Sequence, residues 1–409
     1  MSAAPGLYVH VPFCRAACPY CDFAIAAGPV AGRERFVARV LEEAARRRAP
    51  RVPFDTVYLG GGTPSALGPG EVGALLAGLA KRLPVAPDAR VSLEANPEDV
   101  SRERLAEWRE AGVGTVSLGA QSLDADALRR LGRRHTPEEV RRAVAWSLEA
   151  GFDTVSVDLI YGRPGQGRGG WERELREAAA LGAHHLSCYQ LTIHAGTAFG
   201  VWKRRGTLRT PGEATEAGLF RTTHRVLADC GYAAYEVSNF AVDASHRSLH
   251  NRKYWEHAPY LGLGPSAHSF DGQRVRSWNL RAFRHWERAV GEGRSATEGS
   301  ERLSREQLAL ESLMLGLRTT QGVDLGGLGA RLGMDILAAN RRQLECLAAE
   351  GLATLEGERV VPTLEGLAVA DGLAARFELP LARNARGLPL RGRDQARGTF
   401  EGSPGISLT

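Results

Sequence analysis

The run Tyr8-Val9-His10-Val11-Pro12-Phe13-Cys14-Arg15-Ala16-Ala17-Cys18-Pro19-Tyr20-Cys21-Asp22-Phe23 decides how this chain is read. It starts as a short apolar strand and ends in a loop with three cysteines spaced C-x3-C-x2-C. Thiolates this close on one loop can converge on one metal centre. The count of three is informative, because structural zinc sites usually close with four protein ligands and a [4Fe-4S] cubane has four irons to ligate. A cubane held by Cys14, Cys18 and Cys21 leaves one iron open for a small molecule. The expectation is therefore an iron–sulfur cluster with an exchangeable ligand. The alternatives are a zinc knuckle completed by a distant Cys or His, and three ordinary buried thiols.

Working outward from that loop, the first half of the chain alternates two periods. Apolar, β-branched runs fall at residues 7–11, 56–59, 90–94, 115–118, 154–159 and 185–191, with helical stretches at 33–48, 70–83, 102–111, 137–150 and 171–181 between them. Strands separated by helices of about 10–15 residues mean βαβ units and a parallel sheet. Their nearly unbroken apolar character fits strands covered on both faces. Six such units can close, or nearly close, into a barrel, whose chemistry sits at the strand C-terminal ends.

Polar and glycine-rich motifs fall at those ends. Gly60-Gly61-Gly62-Thr63-Pro64-Ser65 follows the second strand and offers backbone that a ligand can approach closely. It lacks the Gly-Lys-Ser/Thr ending of a phosphate-binding loop. Glu94-Ala95-Asn96-Pro97 places a carboxylate for an ammonium group or a ribose, or else a helix-cap acid. Gly119-Ala120-Gln121-Ser122 presents an amide that both donates and accepts. Asp158 lies inside the apolar fifth strand, where an unpaired carboxylate is costly. Arg133 is a further single-residue candidate, with a plain surface charge as the alternative.

Through these residues the chain resembles the radical S-adenosylmethionine (radical SAM) superfamily. More narrowly, Tyr-x-His-x-Pro-Phe-Cys, Gly-Gly-Gly-Thr-Pro-Ser, Glu-Ala-Asn-Pro, Gly-x-Gln-Ser and Asp-Leu-Ile-Tyr-Gly resemble the oxygen-independent coproporphyrinogen III oxidase-like family, from Tyr8 to about residue 380. The resemblance implies an incomplete (β/α)6-type barrel. In it the three cysteines hold the cluster and the methionine part of SAM chelates the open iron. It also implies that Tyr8, Gly61, Gly62, Thr63, Glu94, Gln121, Arg133 and Asp158 line the SAM site, and that one electron passes from the cluster to the sulfonium.

Two branches of that family are separable. The oxidase branch carries a further cysteine two residues after the last ligand, and an N-terminal extension. Here Phe23 occupies that position and the motif starts at Tyr8. The Cys21-Asp22-Phe23 ending resembles the haem chaperone (HemW) branch. So does His250-Asn251-Arg252-Lys253-Tyr254-Trp255, which matches its H-N-x-x-Y-W signature. A histidine can ligate haem iron and aromatics can pack on the macrocycle, which makes His250 a haem-ligand candidate with His246 and His268 as rivals. The bland alternative is a loop with a half-buried aromatic pair. Gly262-Leu263-Gly264-Pro265-Ser266-Ala267-His268 resembles another family loop, with a simple turn as its alternative.

The last third changes character. Helices are expected over 303–317, from 322 onward and over 336–351, followed by a hairpin around Glu356-Gly357-Glu358. Helices ending in such a wing suggest a winged-helix-like domain, but its acidic wing favours a cap or partner-docking role over DNA binding. The expected organisation is residues 1–200 for the partial barrel, 201–300 for a segment carrying the H-N-R-K-Y-W motif, 301–380 for the winged-helix-like domain, and 381–409 for a disordered tail. A net charge of +5 is modest for 409 residues and reads as a solvated arginine-rich surface, not a nucleic-acid footprint. No leader and no apolar run of about twenty residues is apparent. Scattered Cys188, Cys230 and Cys346 do not form a disulfide framework, so a reducing, cytoplasmic setting is expected.

The reading is thus a haem-binding protein that delivers haem to an acceptor haemoprotein, with membrane-associated respiratory enzymes among the acceptors and transient contact at the membrane surface. It carries the cluster and SAM, draws on an electron donor and needs no nucleic acid; a dimer is left open. The first alternative is oxidative decarboxylation of coproporphyrinogen III to protoporphyrinogen IX. The second is a DNA-binding regulator with a redox-sensing cluster.

Overall fold

A computed structural model describes residues 4–380; the expected tail at 381–409 lies outside the described residues. Six parallel strands form the heart of the fold: β1 (Gly6–Val11), β2 (Phe54–Gly61), β3 (Val85–Ala95), β4 (Thr115–Gln121), β5 (Thr154–Tyr161) and β6 (His185–Gln190). They pair side by side in sequence order. Helices α1 (Phe36–Arg46), α2 (Glu71–Ala80), α3 (Arg102–Glu110), α4 (Ala125–Arg130), α5 (Pro137–Glu149) and α6 (Arg168–Ala180) lie in the connections. This is the expected incomplete (β/α)6 barrel.

The apolar strand residues explain the arrangement. Leu7, Val9, Val11, Leu59, Leu93, Val116, Leu118, Val155, Val157, Leu159 and Leu186 are all fully buried, and Trp108 and Trp171 pack on them from the helices. Burying one such aliphatic side chain is worth about 1.5–3 kcal/mol. Local signals fix the helix starts. Thr136 and Glu139 form a reciprocal capping box ahead of Pro137, and Ser101 caps α3. Helix α4, which the apolar pattern did not single out, is a six-residue helix capped by Asp124.

Beyond the six strands the sheet continues at both edges. The short strand Asn239–Ala241 runs antiparallel to β6, and β7 (Tyr260–Leu263) pairs in parallel with β1. Antiparallel β8 (His268–Phe270) and β9 (Val275–Asn279) follow. Helices α7 (Ala198–Arg204), α8 (Glu213–Asp229), α9 (Leu249–Trp255) and α10 (Phe283–Gly291) complete this part of the chain. The described residues divide into two compact units, one holding residues 4–234, 238–253 and 258–300, the other 235–237, 254–257 and 301–380.

The second unit carries α11 (Arg305–Gly316), α12 (Leu325–Leu332), α13 (Ile336–Ala339) and α14 (Arg341–Ala349). Strands β10 (Val323–Asp324), β11 (Ala353–Glu356) and β12 (Arg359–Pro362) form a small sheet with β12 in the middle. The single helix expected over 336–351 is in fact two. The Asn340 amide donates to the carbonyls of Ile336 and Glu378 and accepts from the Glu378 N–H. A buried side chain so engaged interrupts the helix by tying it to the segment that follows.

Candidate cofactor site at the strand C-terminal ends

The cysteine loop leaves β1 at the C-terminal end of the sheet. Its turn is closed by the Cys21 N–H donating to the Cys18 carbonyl at 3.1 Å. Neighbouring strand ends reach two of the sulfurs. The Thr63 hydroxyl lies 3.4 Å from Cys14 Sγ, and Arg133 Nη1 lies 3.7 Å from Cys18 Sγ. Burial pushes the Cys21 thiol up to about 11 and raises Cys14, so neither is a thiolate without a positive centre beside it. Among the described residues no group of three His, Cys, Asp or Glu side chains closes on a single metal ion. A cubane makes a looser demand, because each cysteine ligates a different iron.

The glycine triplet is dictated by what lies behind it. Gly61 has φ +112°, and a Cβ there would sit 2.5 Å from the His10 ring; at Gly62 it would sit 2.6 Å from the Pro12 carbonyl carbon. The strand end thus lies flat against the start of the cysteine loop. Glu94 fixes it from the other side, accepting from the Gly61 N–H at 3.0 Å and from the Tyr58 hydroxyl at 2.9 Å. Burial nevertheless pushes the Glu94 carboxyl up to about 7. Burial likewise pushes Asp158 up to about 6 against the pull of hydroxyls on Ser187, Ser117 and Ser156. The Ser117 hydroxyl lies 3.1 Å from both its oxygens.

Arg133 ties three strand ends together. Its guanidinium donates to the Gly119 carbonyl at 3.0 Å, to the Asn96 side-chain oxygen and toward Cys18, while Nε is buried without a hydrogen-bond partner. Gln121 sits where the β4–β5 register slips, at φ +64°, a left-handed conformation unusual for a side-chain-bearing residue. Tyr8 is tied through His10 to the cysteine-loop segment. Its hydroxyl bonds His10 Nδ1 at 3.1 Å, and His10 Nε2 donates to the Ala24 carbonyl at 2.9 Å, which fixes the tautomer.

Several participants were not singled out from the sequence. Asn96 lay unremarked inside a quoted motif. Behind Gln121, the buried Glu174 accepts from the Ser122 hydroxyl, the Leu123 N–H at 2.9 Å and the Arg163 guanidinium, which also bonds Ser122. Buried Trp171, Glu174, Leu175 and Ala178 follow helical spacing on α6. An acid interrupting that apolar stripe was the available signal. Glu43 on α1 shows the same signal, holding the Gly264 N–H, the Asn279 amide and the Trp286 indole. It pins the family-like loop, where Gly264 at φ +91° lies against the His10 carbonyl.

Of the histidines considered for haem, His250 lies beneath the candidate site, stacked on Tyr8 at 6.3 Å. His250 is 2% exposed, bonded to the Thr56 hydroxyl at 2.9 Å and stacked on Tyr58 at 5.1 Å. Thr56 is near the start of β2, so His250 fills the barrel interior from the strand N-terminal side. Burial pushes it down to about 3. His246 stacks on His184 at 4.5 Å and bonds Thr154, also at strand starts. His268 stacks on Trp278 at 6.1 Å.

Comparison with known proteins places the chain. Residues 8–178 match the radical SAM superfamily, and 303–369 match the HemN C-terminal domain. A protein of Mycobacterium tuberculosis named "Heme chaperone HemW" is 36% identical over 373 residues, covering 90% of this chain and 93% of the relative. The chain belongs to the HemW family. "Radical S-adenosyl methionine domain-containing protein 1, mitochondrial" of Mus musculus is 34% identical over 385 residues, covering 91% of this chain and 87% of the relative. Among solved structures, coproporphyrinogen III oxidase (HemN) from Escherichia coli aligns over 92% of this chain and 90% of its own, with a TM-score of 0.78 and 21% identity. That similarity establishes the shared fold. Membership of the radical SAM superfamily implies a [4Fe-4S] cluster and SAM.

Proposed function

We propose that this protein takes up haem and passes it to an acceptor haemoprotein, while holding a [4Fe-4S] cluster on Cys14, Cys18 and Cys21 and SAM on the strand ends beside them. The observation that carries the reading is 36% identity to proteins named as haem chaperones across 90% of the chain. Phe23, where the oxidase branch has a further cysteine, agrees with it.

The residues fit the two groups. The thiols of Cys14 and Cys21, whose protons burial retains, gain from a cationic cluster that displaces those protons. When bound, cluster and SAM supply one-electron chemistry. Arg133, with its unpaired Nε and its reach to Cys18, offers positive charge to a carboxylate or to the thiolates. Glu94 favours a cationic amine, since an ammonium beside it restores the ionised carboxyl. Asp158 and Gln121 provide acceptors and donors for ribose or amine, Tyr8 lines the site, and Thr63 with Gly61 and Gly62 gives open backbone along one wall.

Haem is cargo, and its ligation by His250 requires the start of α9 to leave Thr56 and unstack from Tyr58. The acidic hairpin of the second unit, with Glu356 and Glu358, suits docking of an acceptor better than DNA. Membrane-associated respiratory proteins are acceptors in this reading, met at the membrane surface.

The test is anaerobic cluster reconstitution followed by separate additions of haem and coproporphyrinogen III. Stable haem uptake without porphyrinogen turnover is expected; decarboxylated product would replace this reading with the oxidase.

A further inference from the structure

The cofactor site leaves one surface of the same unit unused. The loop after β6 leads into α7, whose Phe199 N–H donates to the Pro19 carbonyl at 2.8 Å. Pro19 lies between the ligand candidates Cys18 and Cys21, so α7 is attached directly to the cluster loop. An aromatic series runs outward from that loop. Tyr20 and Phe199 have ring centroids 6.2 Å apart, and Phe199 and Trp202 5.5 Å apart. Trp202, at the outer end, is 41% exposed.

Cations follow the exposed indole along the chain. Lys203, Arg204, Arg205 and Arg209 are all exposed, and among the described residues none of them forms an ion pair. Arg204 donates only to the Ala195 carbonyl, at 2.7 Å. On the other flank Leu131 packs with Phe199, and Gly132 lies against Pro19. Arg130 and Arg134, next to them in sequence, are exposed as well. The acid of the cluster loop, Asp22, is paired with His194 at 3.3 Å.

We propose that the exposed C-terminal end of α7, where Trp202, Lys203, Arg204 and Arg205 follow one another, is the docking surface for an acidic one-electron carrier protein that reduces the cluster. The inference rests on the preceding reading that the cysteine loop holds a redox-active cluster. One exposed apolar ring next to three exposed cations matches a small, transient, electrostatically steered contact. Its place on the ligand loop gives the short path that electron transfer needs. One electron leaves the reduced flavin of the carrier and one arrives at the cluster, with no bond made or broken.

The test uses full-length reconstituted protein and a flavodoxin as the probe. Two variants are compared with wild type: Lys203→Gln/Arg204→Gln/Arg205→Gln, and Trp202→Ala. Bleaching of the cluster by reduced flavodoxin is followed in anaerobic stopped flow at low and high salt, against reduction by photoreduced deazaflavin. Binding of oxidised flavodoxin is read by calorimetry, which needs no cluster. The triple variant is expected to be reduced by flavodoxin at least about tenfold more slowly at low salt, with a flattened salt dependence and weakened calorimetric binding. Trp202→Ala is expected to weaken binding at every salt concentration. Deazaflavin should reduce all three proteins alike. Wild-type rates and salt dependence in the triple variant would overturn the proposal, as would absence of flavodoxin binding to wild type. Loss of haem uptake with intact flavodoxin reduction would assign the patch to cargo, and overturn it too. If wild type forms no cluster, the preceding reading fails, and calorimetry still decides the docking surface.

Discussion

The two ends of the barrel strands are built from similar residues and do opposite things. At the C-terminal ends, Glu94, Asp158, Arg133 and the cysteines crowd into a space where burial leaves acids reluctant to ionise and one guanidinium nitrogen unpaired. At the N-terminal ends, His250 on Thr56 and His185 on Ser156 are paired within the fold. The first arrangement stores unfavourable electrostatics that a ligand can relieve; the second seals the barrel. Ligand readiness in this fold is legible as incomplete satisfaction at one end.

The largest expected effect falls on the ligand end. Replacing any one of Cys14, Cys18 or Cys21 by Ala should abolish stable cluster formation while far-UV circular dichroism stays unchanged, because none of the three is part of the fully buried core. Unfolding of these variants would break the separation between a ligand end and a structural end.

Next comes the support behind Gln121. Glu174→Ala leaves Arg163 as a buried, unpaired charge and should cost about 3–5 kcal/mol in denaturant unfolding. Arg163→Met/Glu174→Met should recover much of that stability yet still bind SAM more weakly in calorimetry, because Ser122 and Leu123 lose their acceptor. Gly61→Ala should cost about 1–3 kcal/mol, given its left-handed backbone and the His10 ring behind it.

The subtlest prediction concerns pH, where the two ends have opposite signs. Carboxyls raised to about 7 and about 6 hold protons in the folded state that the unfolded chain has released, so their contribution falls as pH rises from about 4 to 7. His250 and His185, lowered to about 3, do the reverse: their contribution is full above about 6.5 and is lost as pH drops toward 3. In SAM-free protein, Glu94→Gln should flatten the falling component and His250→Gln the rising one. Thermal unfolding across that range checks both, and a shared sign would contradict the contrast.

Much of this was legible in the sequence, for identifiable reasons. The six parallel strands announced themselves because a sheet covered on both faces needs unbroken apolar runs. The cysteine loop was legible because ligand spacing is local. Arg133 could be nominated, but its bridging of Gly119, Asn96 and Cys18 could not, since those contacts span loops far apart in the chain. Glu174 and Glu43 were not singled out, although each is an acid inside an apolar helical stripe. What they hold is set by tertiary packing, as is the break at Asn340, which depends on Glu378. The histidine of the H-N-R-K-Y-W motif could be nominated by residue type, whereas its contacts with Thr56 and Tyr58 could not, since both lie far away in the chain.

The most direct measurement is the iron content and electron paramagnetic resonance spectrum of anaerobically reconstituted protein, before and after SAM is added. The account predicts about four irons per chain and a reduced-cluster signal that changes shape on SAM binding. Protein without a cubane, or a cubane signal indifferent to SAM, would contradict it.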